Sequence, residues 1–523
     1  MSPRIRNSFF LSPTDFFEIM NVLRKFSPKK STGPDNIPTK ILKLGARSLS
    51  PILSCLINEC FSTGIFPKCL KLARVTPIFK GGDPLSPSEW RPISIVSVLS
   101  KIIEKLVCTR LNKYLLKNNI LTKNQFGFRS GHSTAHAILN INEQILANGD
   151  AHRHTISVFL DLSKAFNCVN HDILIGKLQR YGVTGISLDF FRSYLTDQYQ
   201  FTRINGQDSN WRRITCGVPQ GSVLGPLLFI IYMNDLSHVS RFSVSLFADD
   251  TCLVLSHKDL KHLEFTCNQE LKIIEDWFKA NRLTANQKKA SKFMLTTGKN
   301  KSALPDIELK MGNTTLEKVK TMKYLGVMLD EDFNWSAHVT QLKSKLASSV
   351  GILSKLKYYL NTKILIQVYH ALIGSRLHYA IACWGAAAQT VIQPIKVLQN
   401  RAVRFISKTS RYTKLDIAYL NLRLLKFDDL YQFNLAKFMH SYTLGTLPPF
   451  FTNFIQSSSD IHNYPTHFAT TNTFRPLRCN KTVTQRSIRH RAPSHWNQLP
   501  LQIRNSSKSK FKKEYKKHVF SSY

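Results

Sequence analysis

The sequence predicts an α+β fold, on three observations. The stretch SVSLFADDTCLVLS sets two adjacent acids, Asp249 and Asp250, between two apolar runs, and reads as a strand–turn–strand hairpin. The β-rich run Thr155–Leu160 is apolar on both faces, the pattern of a central strand. From about residue 331 to about 450 the apolar residues recur at helical spacing instead, as in HVTQLKSKLASSVGILSKL and TKILIQVYHALIGSRLHYAIACW.

The remaining elements fall around these. Residues 1 to about 60 read as helical, with a polar break at SPKKSTGPDNIP (27–38). Residues from about 61 to 330 hold most strand signals and all the chemistry. After about 450 the apolar density falls, and residues 461–523 carry 13 Lys/Arg and one acid, Glu514. The tail SKSKFKKEYKKHVF has the pattern of a basic amphipathic helix, suited to phosphate contact or to a solvated charged face. A chain of 523 residues has room for about two to four domains.

The charge is the unusual part of the composition. Lys+Arg is 72 against 33 Asp+Glu, a formal net charge of +39. Such a balance points to a polyanionic partner, nucleic acid first and an anionic membrane surface second. The ten cysteines form no C-x-x-C pair and no His-spaced zinc pattern. They are expected to be reduced, mostly buried thiols of an intracellular protein. The start, MSPRIRNSFFLSP, lacks the apolar core of a secretory signal. The longest apolar run, Val223–Met233, has 11 residues and contains Gly225 and Pro226, too short to span a bilayer.

Adjacent carboxylates are costly to desolvate without a partner. Two divalent cations offset that cost, which is how a two-metal phosphoryl-transfer site is built. Context must discriminate, because a second Asp-Asp, Asp428-Asp429 in LLKFDDLYQF, lies in a helical pattern and reads as a surface pair. A two-metal site also needs a third carboxylate, and Asp161 stands at the C-terminal end of the Thr155–Leu160 run. On its own, Asp161 could equally cap a following helix.

FLDLSKAF, GVPQGSVLGPLLFIIYMNDL and LFADD, in that order, resemble the palm of reverse transcriptases. The fuller pattern is similar to non-LTR (LINE-type, Jockey-like) retrotransposon enzymes. It includes KSTGPDNIPTKILK, TPIFKGGDPLSPSEWRPISIVSVLSKIIEKLV, QFGFRSGHST, NRLTANQKKASKFML, KYLGVMLD and APSHWNQLP, and covers nearly the whole chain. The resemblance implies a right-hand polymerase: fingers, a palm with a small antiparallel sheet, a helical thumb, and a helical, basic C-terminal region. The implied divisions are 1–60 as an N-terminal helical extension, 61–330 as fingers and palm, 331–450 as thumb or connection, and 451–523 as the basic region.

It also implies roles. Asp161, Asp249, Asp250 and the main-chain carbonyl of Leu162 would hold two Mg²⁺ ions about 3.5–4 Å apart, with Mn²⁺ as a substitute. Asp161 and Asp249 would be the principal ligands and Asp250 the supporting one. Phe166 would wall off a 2′-hydroxyl and so select deoxynucleotides. Gln220 and Gly221 would contact nucleotide and template, and Lys80 and Arg91 would clamp the triphosphate. Arg129 would lie near template or nucleotide, Tyr324-Leu325-Gly326 would grip the primer, and Lys289 would be a general acid toward pyrophosphate. Asn167 departs from the family's frequent Asp at that place, which is not a metal ligand.

The implied partners are an RNA template, a DNA or RNA primer and dNTPs, with no membrane. The implied location is the nucleus or the cytoplasm, without secretion. About 60 residues ahead of the polymerase pattern cannot hold an endonuclease domain, so that activity is expected to come from elsewhere. Neither a ribonuclease H site nor a zinc knuckle is expected. One rival is a catalytically idle nucleic-acid-binding relic or RNP component on the same fold. Another is an RNA-dependent RNA polymerase, which Phe166 opposes because such an enzyme must admit the 2′-hydroxyl.

Overall fold

A computed structural model of the protein describes residues 7–28, 31–162, 165–284, 292–297, 306–410, 412–458 and 473–523. The chain forms a mixed architecture of small sheets and many helices. The strands that matter for the site are, in chain order, β1 (Leu72–Phe79), β2 (Trp90–Val96), β3 (His154–Leu160), β4 (Gln198–Ile204), β5 (Gln207–Asp208), β6 (Arg212–Ile214), β7 (Ser243–Phe247), β8 (Asp250–His257) and β9 (Lys292–Thr296). Two compact units divide the chain. The first comprises Met1–Phe128, Leu160–Thr251 and Gln269–Ala290, and the second Arg129–Phe159, Cys252–Asn268 and Ser291–Tyr523.

In the first unit the N-terminal helices begin as expected. Asp15 caps helix Phe16–Lys25 by accepting from the Glu18 amide at 2.7 Å. The Glu18 carboxylate pairs with Arg110 at 2.8 Å, and Ile19 and Leu23 are buried. The polar stretch 27–38 separates this helix from Thr39–Leu44 and Ala46–Thr63. Strands β1 and β2 form an antiparallel hairpin in register from Ala73↔Val96 to Phe79↔Trp90. Strand β1 also pairs in parallel with β4, which carries β5 and β6.

Helix Val98–Lys117 packs against Phe16–Lys25, with Ile102, Leu106, Val107, Leu111 and Leu115 buried. Helix Gly225–Met233 is buried on every side, with Leu228, Phe229, Ile231 and Tyr232 at 0 % exposure. An all-apolar helix of this length is a core helix. Among the described residues no helix is long and apolar enough to cross a membrane.

In the second unit every residue of β3 is buried, as its two-faced apolar pattern requires. Strand β9 pairs antiparallel with it from Thr155↔Thr296 to Phe159↔Lys292, and β8 lies on its other side, so β3 is central. Beyond residue 330 helices take over: Ser336–Leu356 packs against Gln389–Ser407, and Phe427–Thr443 packs against Ile488–Gln498.

The tail helix Lys508–Phe520 buries Phe511, Tyr515 and Val519, spaced one turn apart, and stacks Phe511 on His440 at 4.1 Å. Residues 480–488 dock on helix Thr134–Asp150. The Asp150 carboxylate accepts from the Asn480 and Lys481 amides and the Thr484 hydroxyl, and the buried Glu143 accepts from the Ser487 hydroxyl and the Ile488 amide.

Two expectations need correction. Asp428 is exposed and pairs with Lys396 at 2.7 Å, but Asp429 is half-buried and accepts from the Tyr523 hydroxyl at 2.6 Å. The second Asp-Asp is therefore a surface pair in its first member only. Its place in the first helical turn suits negative charge and explains why both stay polar. The cysteines are all free thiols, but only Cys252, Cys267 and Cys383 are buried, while Cys55, Cys69 and Cys216 are exposed. The buried ones sit within apolar-patterned elements, whereas the exposed ones lie in an outer helix face and loops.

The second unit carries a built-in acid sensitivity. Burial pushes His136, His338 and His495 down to about 4, and nearby His132, Lys345 and His518 charges add to the push at their respective sites. A histidine depressed in the folded state binds its proton first in the unfolded chain. Its stabilisation is therefore present above the ordinary 6.5 and lost as pH falls toward 4. Each such group is worth on the order of 3 kcal/mol at most. Thermal melts in metal-free buffer should show the second unit losing stability between pH 6.5 and 4; a melting temperature flat across that window would contradict the assignment.

Candidate active site

Two chain segments of the first unit deliver acids to one place. Strand β3 runs out at Leu160, and the half-buried Asp161 follows it directly, ahead of the buried Leu162. In the second segment β7 ends at Phe247, Ala248 and Asp249 make the turn, and β8 opens with Asp250. The strand–turn–strand reading of SVSLFADDTCLVLS is thus correct. Ala248 adopts a left-handed conformation, φ 59°, which is uncommon outside glycine and needs outside support.

That support comes from a segment that sequence reasoning had placed only within a resembling block. Residues 124–126 run alongside β7: the Leu246 amide donates to the Asn124 carbonyl at 2.9 Å and the Phe126 amide to the Leu246 carbonyl at 2.8 Å. The buried Gln125 side chain then reaches into the turn. Its Oε1 accepts from the Ala248 amide at 3.1 Å and from the Gly127 amide at 2.8 Å. Gly127 passes so close that a Cβ there would lie 2.4 Å from the Ala248 nitrogen. Gln125 and Gly127 are therefore positioning residues for the acid-bearing turn. No local pattern reveals this, since the contact spans more than a hundred residues of chain.

The electrostatics mark the three acids as one cluster. Lost solvation raises Asp249 above its ordinary value, the Asp161 charge adds to this, and Arg91 and then Lys80 oppose it. Asp250 is exposed, yet enough protein surrounds it that lost solvation is the largest cause of its rise; the Asp249 and Asp161 charges follow, and it is pushed up to about 6. Like charges held together disfavour one another's ionised form. Lys80 is exposed just beyond β1, and Arg91 is exposed on β2 opposite Ile78. Among the described residues no group of three or more His, Cys, Asp or Glu side chains is drawn together tightly enough to enclose a metal ion. The donor set is nonetheless all oxygen, which suits Mg²⁺ or Mn²⁺ and not a soft metal.

Phe166 and the GVPQG loop are joined to this cluster's surroundings. The Phe166 ring stacks on Phe229 at 4.4 Å and meets Phe128 edge-on at 5.9 Å, which fixes it as a half-buried wall. The Val218 amide donates to the Phe166 carbonyl at 2.8 Å and the Gly217 amide to the Val169 carbonyl at 2.7 Å. Further along, the Ser94 amide donates to the Gln220 carbonyl at 2.7 Å. Gly221 has φ 133°, and a Cβ on it would lie 2.3 Å from the Ser94 carbonyl oxygen, so only glycine fits. The loop thereby ties Phe166 to β2, the strand that carries Arg91.

A third missed residue holds the loop's far end. Glu104, buried in helix Val98–Lys117, accepts from the Val223 and Leu224 amides at the start of helix Gly225–Met233, and from Ser100 and Tyr194. Burial raises its carboxyl, while the Val223 and Leu224 amides, the Ser100 hydroxyl and the Lys101 charge oppose the rise.

The other sequence candidates fall elsewhere. Arg129 and Tyr324-Leu325-Gly326 belong to the second unit. There Tyr324 is buried against Phe159 at 5.6 Å, while Leu325 (φ 43°) and Gly326 (φ 83°) form the two-residue tip of the hairpin Thr321–Tyr324/Val327–Asp330. The accessible part of that motif is the tip rather than the tyrosine. Lys289 lies outside the described residues; Lys292 pairs with Glu317 at 2.8 Å.

Comparison with known proteins bears on this arrangement. Residues 78–329 match the family model described as reverse transcriptase (RNA-dependent DNA polymerase). The chain is similar to the probable RNA-directed DNA polymerase from transposon BS of Drosophila melanogaster, with 32% identity over 432 residues, 78% of this chain and 46% of that protein. It is 28% identical over 433 residues to the probable RNA-directed DNA polymerase from transposon X-element of the same organism, 80% of this chain and 47% of that one. The RNA-directed DNA polymerase from mobile element jockey, also of that fly, is 26% identical over 444 residues, 82% and 48% of the two chains. The chain thus spans about half the length of these curated relatives.

Proposed function

We propose that this protein, whose residues 78–329 match the reverse transcriptase (RNA-dependent DNA polymerase) family, is a non-LTR retrotransposon enzyme that extends a primer 3′-hydroxyl with dNTPs on an RNA template. The observation that carries the proposal is the meeting of Asp161, Asp249 and Asp250, with Arg91 and Lys80 near enough to oppose their mutual repulsion. In this reading the sheet of β1 and β2 serves as fingers, the acid-bearing segments as palm, and the helices after residue 330 as thumb. RNA, a DNA or RNA primer and dNTPs are its partners, and its work lies in the nucleus or the cytoplasm.

Asp161, Asp249, Asp250 and the Leu162 carbonyl would hold two Mg²⁺ ions. Those ions would acidify the primer hydroxyl and stabilise charge on the departing pyrophosphate. The chain's own residues do the rest. Arg91 offers a planar fork and Lys80 a point charge for the triphosphate, and both already lie within electrostatic reach of Asp249. Gln220, held through its backbone on Ser94, presents its side chain beside an exposed glycine that lets a base pair approach. Gln125 and Gly127 keep the turn in shape so that Asp249 and Asp250 need not reorganise during reaction.

Primer extension on poly(rA)/oligo(dT) with Mg²⁺ tests the proposal. Folded protein that binds this duplex but adds no nucleotide would favour the idle nucleic-acid-binding reading instead.

Phe166 supplies a sharper test. Its ring is braced by Phe229 and Phe128, so it acts as a rigid wall and not as a movable flap. Phe166→Ala should raise ribonucleotide incorporation relative to deoxynucleotide by about 10²-fold, the usual scale for rejecting an added hydroxyl by shape. Competition of UTP with dTTP on the same template measures it. An unchanged ratio would remove Phe166 from the sugar-selecting role, and a wild-type preference for UTP would support an RNA polymerase.

A further inference from the structure

Between Asp332 and Asp416 the chain carries 12 Lys/Arg and no Asp or Glu. This acid-free stretch builds one corner of the second unit, where helix Ser336–Leu356 packs against helix Gln389–Ser407. At the end of the first helix and along the second half of the other, a groove of about 940 Å³ opens. Lys357, Tyr358, Arg401, Arg404, Phe405 and Lys408 line it. No lining residue is acidic. The acids of the neighbouring helices are already engaged, Asp416 with Lys426 at 3.0 Å and Asp428 with Lys396 at 2.7 Å.

Aromatic rings are interleaved with these cations. The Lys357 ammonium lies 4.8 Å from the ring centroids of both Tyr358 and Phe405, which holds the charge at the groove wall. Tyr358 is 77 % exposed, so most of its ring is open to solvent.

We propose that this groove binds single-stranded nucleic acid, with backbone phosphates on Arg401 and Lys408 and a base stacked on Tyr358. Cations that track a backbone beside an open aromatic face are the elements of a sequence-tolerant single-strand site. A duplex fits poorly, because its base faces are covered by their neighbours and cannot meet Tyr358. A small anion would leave most of the groove and the ring unused. The groove belongs to the second unit and shares no residue with the carboxylate cluster of the first, so it would hold template or displaced strand and not the reacting 3′ end.

The test is fluorescence anisotropy of the full chain with a labelled oligo(rU) of about 12 nucleotides, a length within single-strand site sizes. Unlabelled template–primer duplex is present in excess to fill the carboxylate site. Tyr358→Ala should weaken binding about 10-fold, and Tyr358→Phe should bind as wild type. The double variant Arg401→Ala/Lys408→Ala should lower the slope of log affinity against log salt by about 1.4, for two phosphates released. Both positions are exposed, so these variants should melt with the wild type. Wild-type affinity in Tyr358→Ala, an unchanged salt slope, or full displacement of the oligonucleotide by the duplex would each overturn the proposal. The readout is binding, so failure of nucleotide incorporation would leave this result standing.

Discussion

Asp249→Asn should lower nucleotide incorporation by about 10²–10³-fold, the scale seen when one preorganised electrostatic group is removed from a reacting centre. The substitution keeps shape and removes one charge. The Ala248 and Gly127 amides still find Gln125, so the turn stays in place. Affinity for the template–primer duplex should remain near that of the wild type, because Arg91, Lys80 and the rest of the basic surface are untouched. The same variant should bring Asp250 down from about 6, since the Asp249 charge is one cause of its rise. Single-turnover extension and a filter-binding titration separate the two effects. Wild-type turnover in Asp249→Asn would remove this carboxylate from the chemistry. Loss of duplex binding would reassign it to the fold.

Gly127→Ala should be nearly as damaging, though it touches no charge. The new Cβ would lie 2.4 Å from the Ala248 nitrogen and 3.0 Å from the Phe247 carbonyl carbon, both backbone, so the turn itself must move. A displacement of about 1 Å at a reacting centre costs about 10²-fold in rate. Overpacking here should also cost about 1–3 kcal/mol of stability.

Gly176→Ala is the matching control. That glycine lies inside helix His171–Arg180, with nothing within 4 Å of an added Cβ. The change should stabilise the protein by up to about 1 kcal/mol and leave turnover alone. Extension rates and melting temperatures of the two variants, measured together, decide the matter. A Gly127→Ala protein with wild-type rate would mean that the turn tolerates the shift.

These two residues also mark how far the sequence could be read. Asp249 and Asp250 stood out because charge between two apolar runs is costly unless something uses it. Asp161 stood out because it ended a strand buried on both faces. Both signals are local: Asp161 follows β3 directly, and Asp249 and Asp250 stand where the turn opens β8.

Gln125, Gly127 and Glu104 carried no such signal. Glu104 sits in SKIIEKLV, where its helical position reads as an ordinary polar site, yet it is buried and caps a helix more than a hundred residues away. Gly221 is readable as a loop glycine, but its reason is the Ser94 carbonyl across the fold. Asp429 was misread because its partner, the Tyr523 hydroxyl, lies at the far end of the chain. What stays hidden in each case is a long-range contact, which leaves no periodicity behind.

The docking of residues 480–488 onto helix Thr134–Asp150 has a consequence for the order in which the protein is made. A ribosome delivers the chain from the N-terminus, and domains generally fold as their residues emerge. Glu143 emerges before its hydroxyl partner, Ser487, which follows 344 residues later. Until then this carboxylate, destined for burial, has only the neighbouring Asn142 amide as a donor, at 3.1 Å. The second unit therefore cannot close this contact until residue 487 is made, 344 residues of synthesis after Glu143.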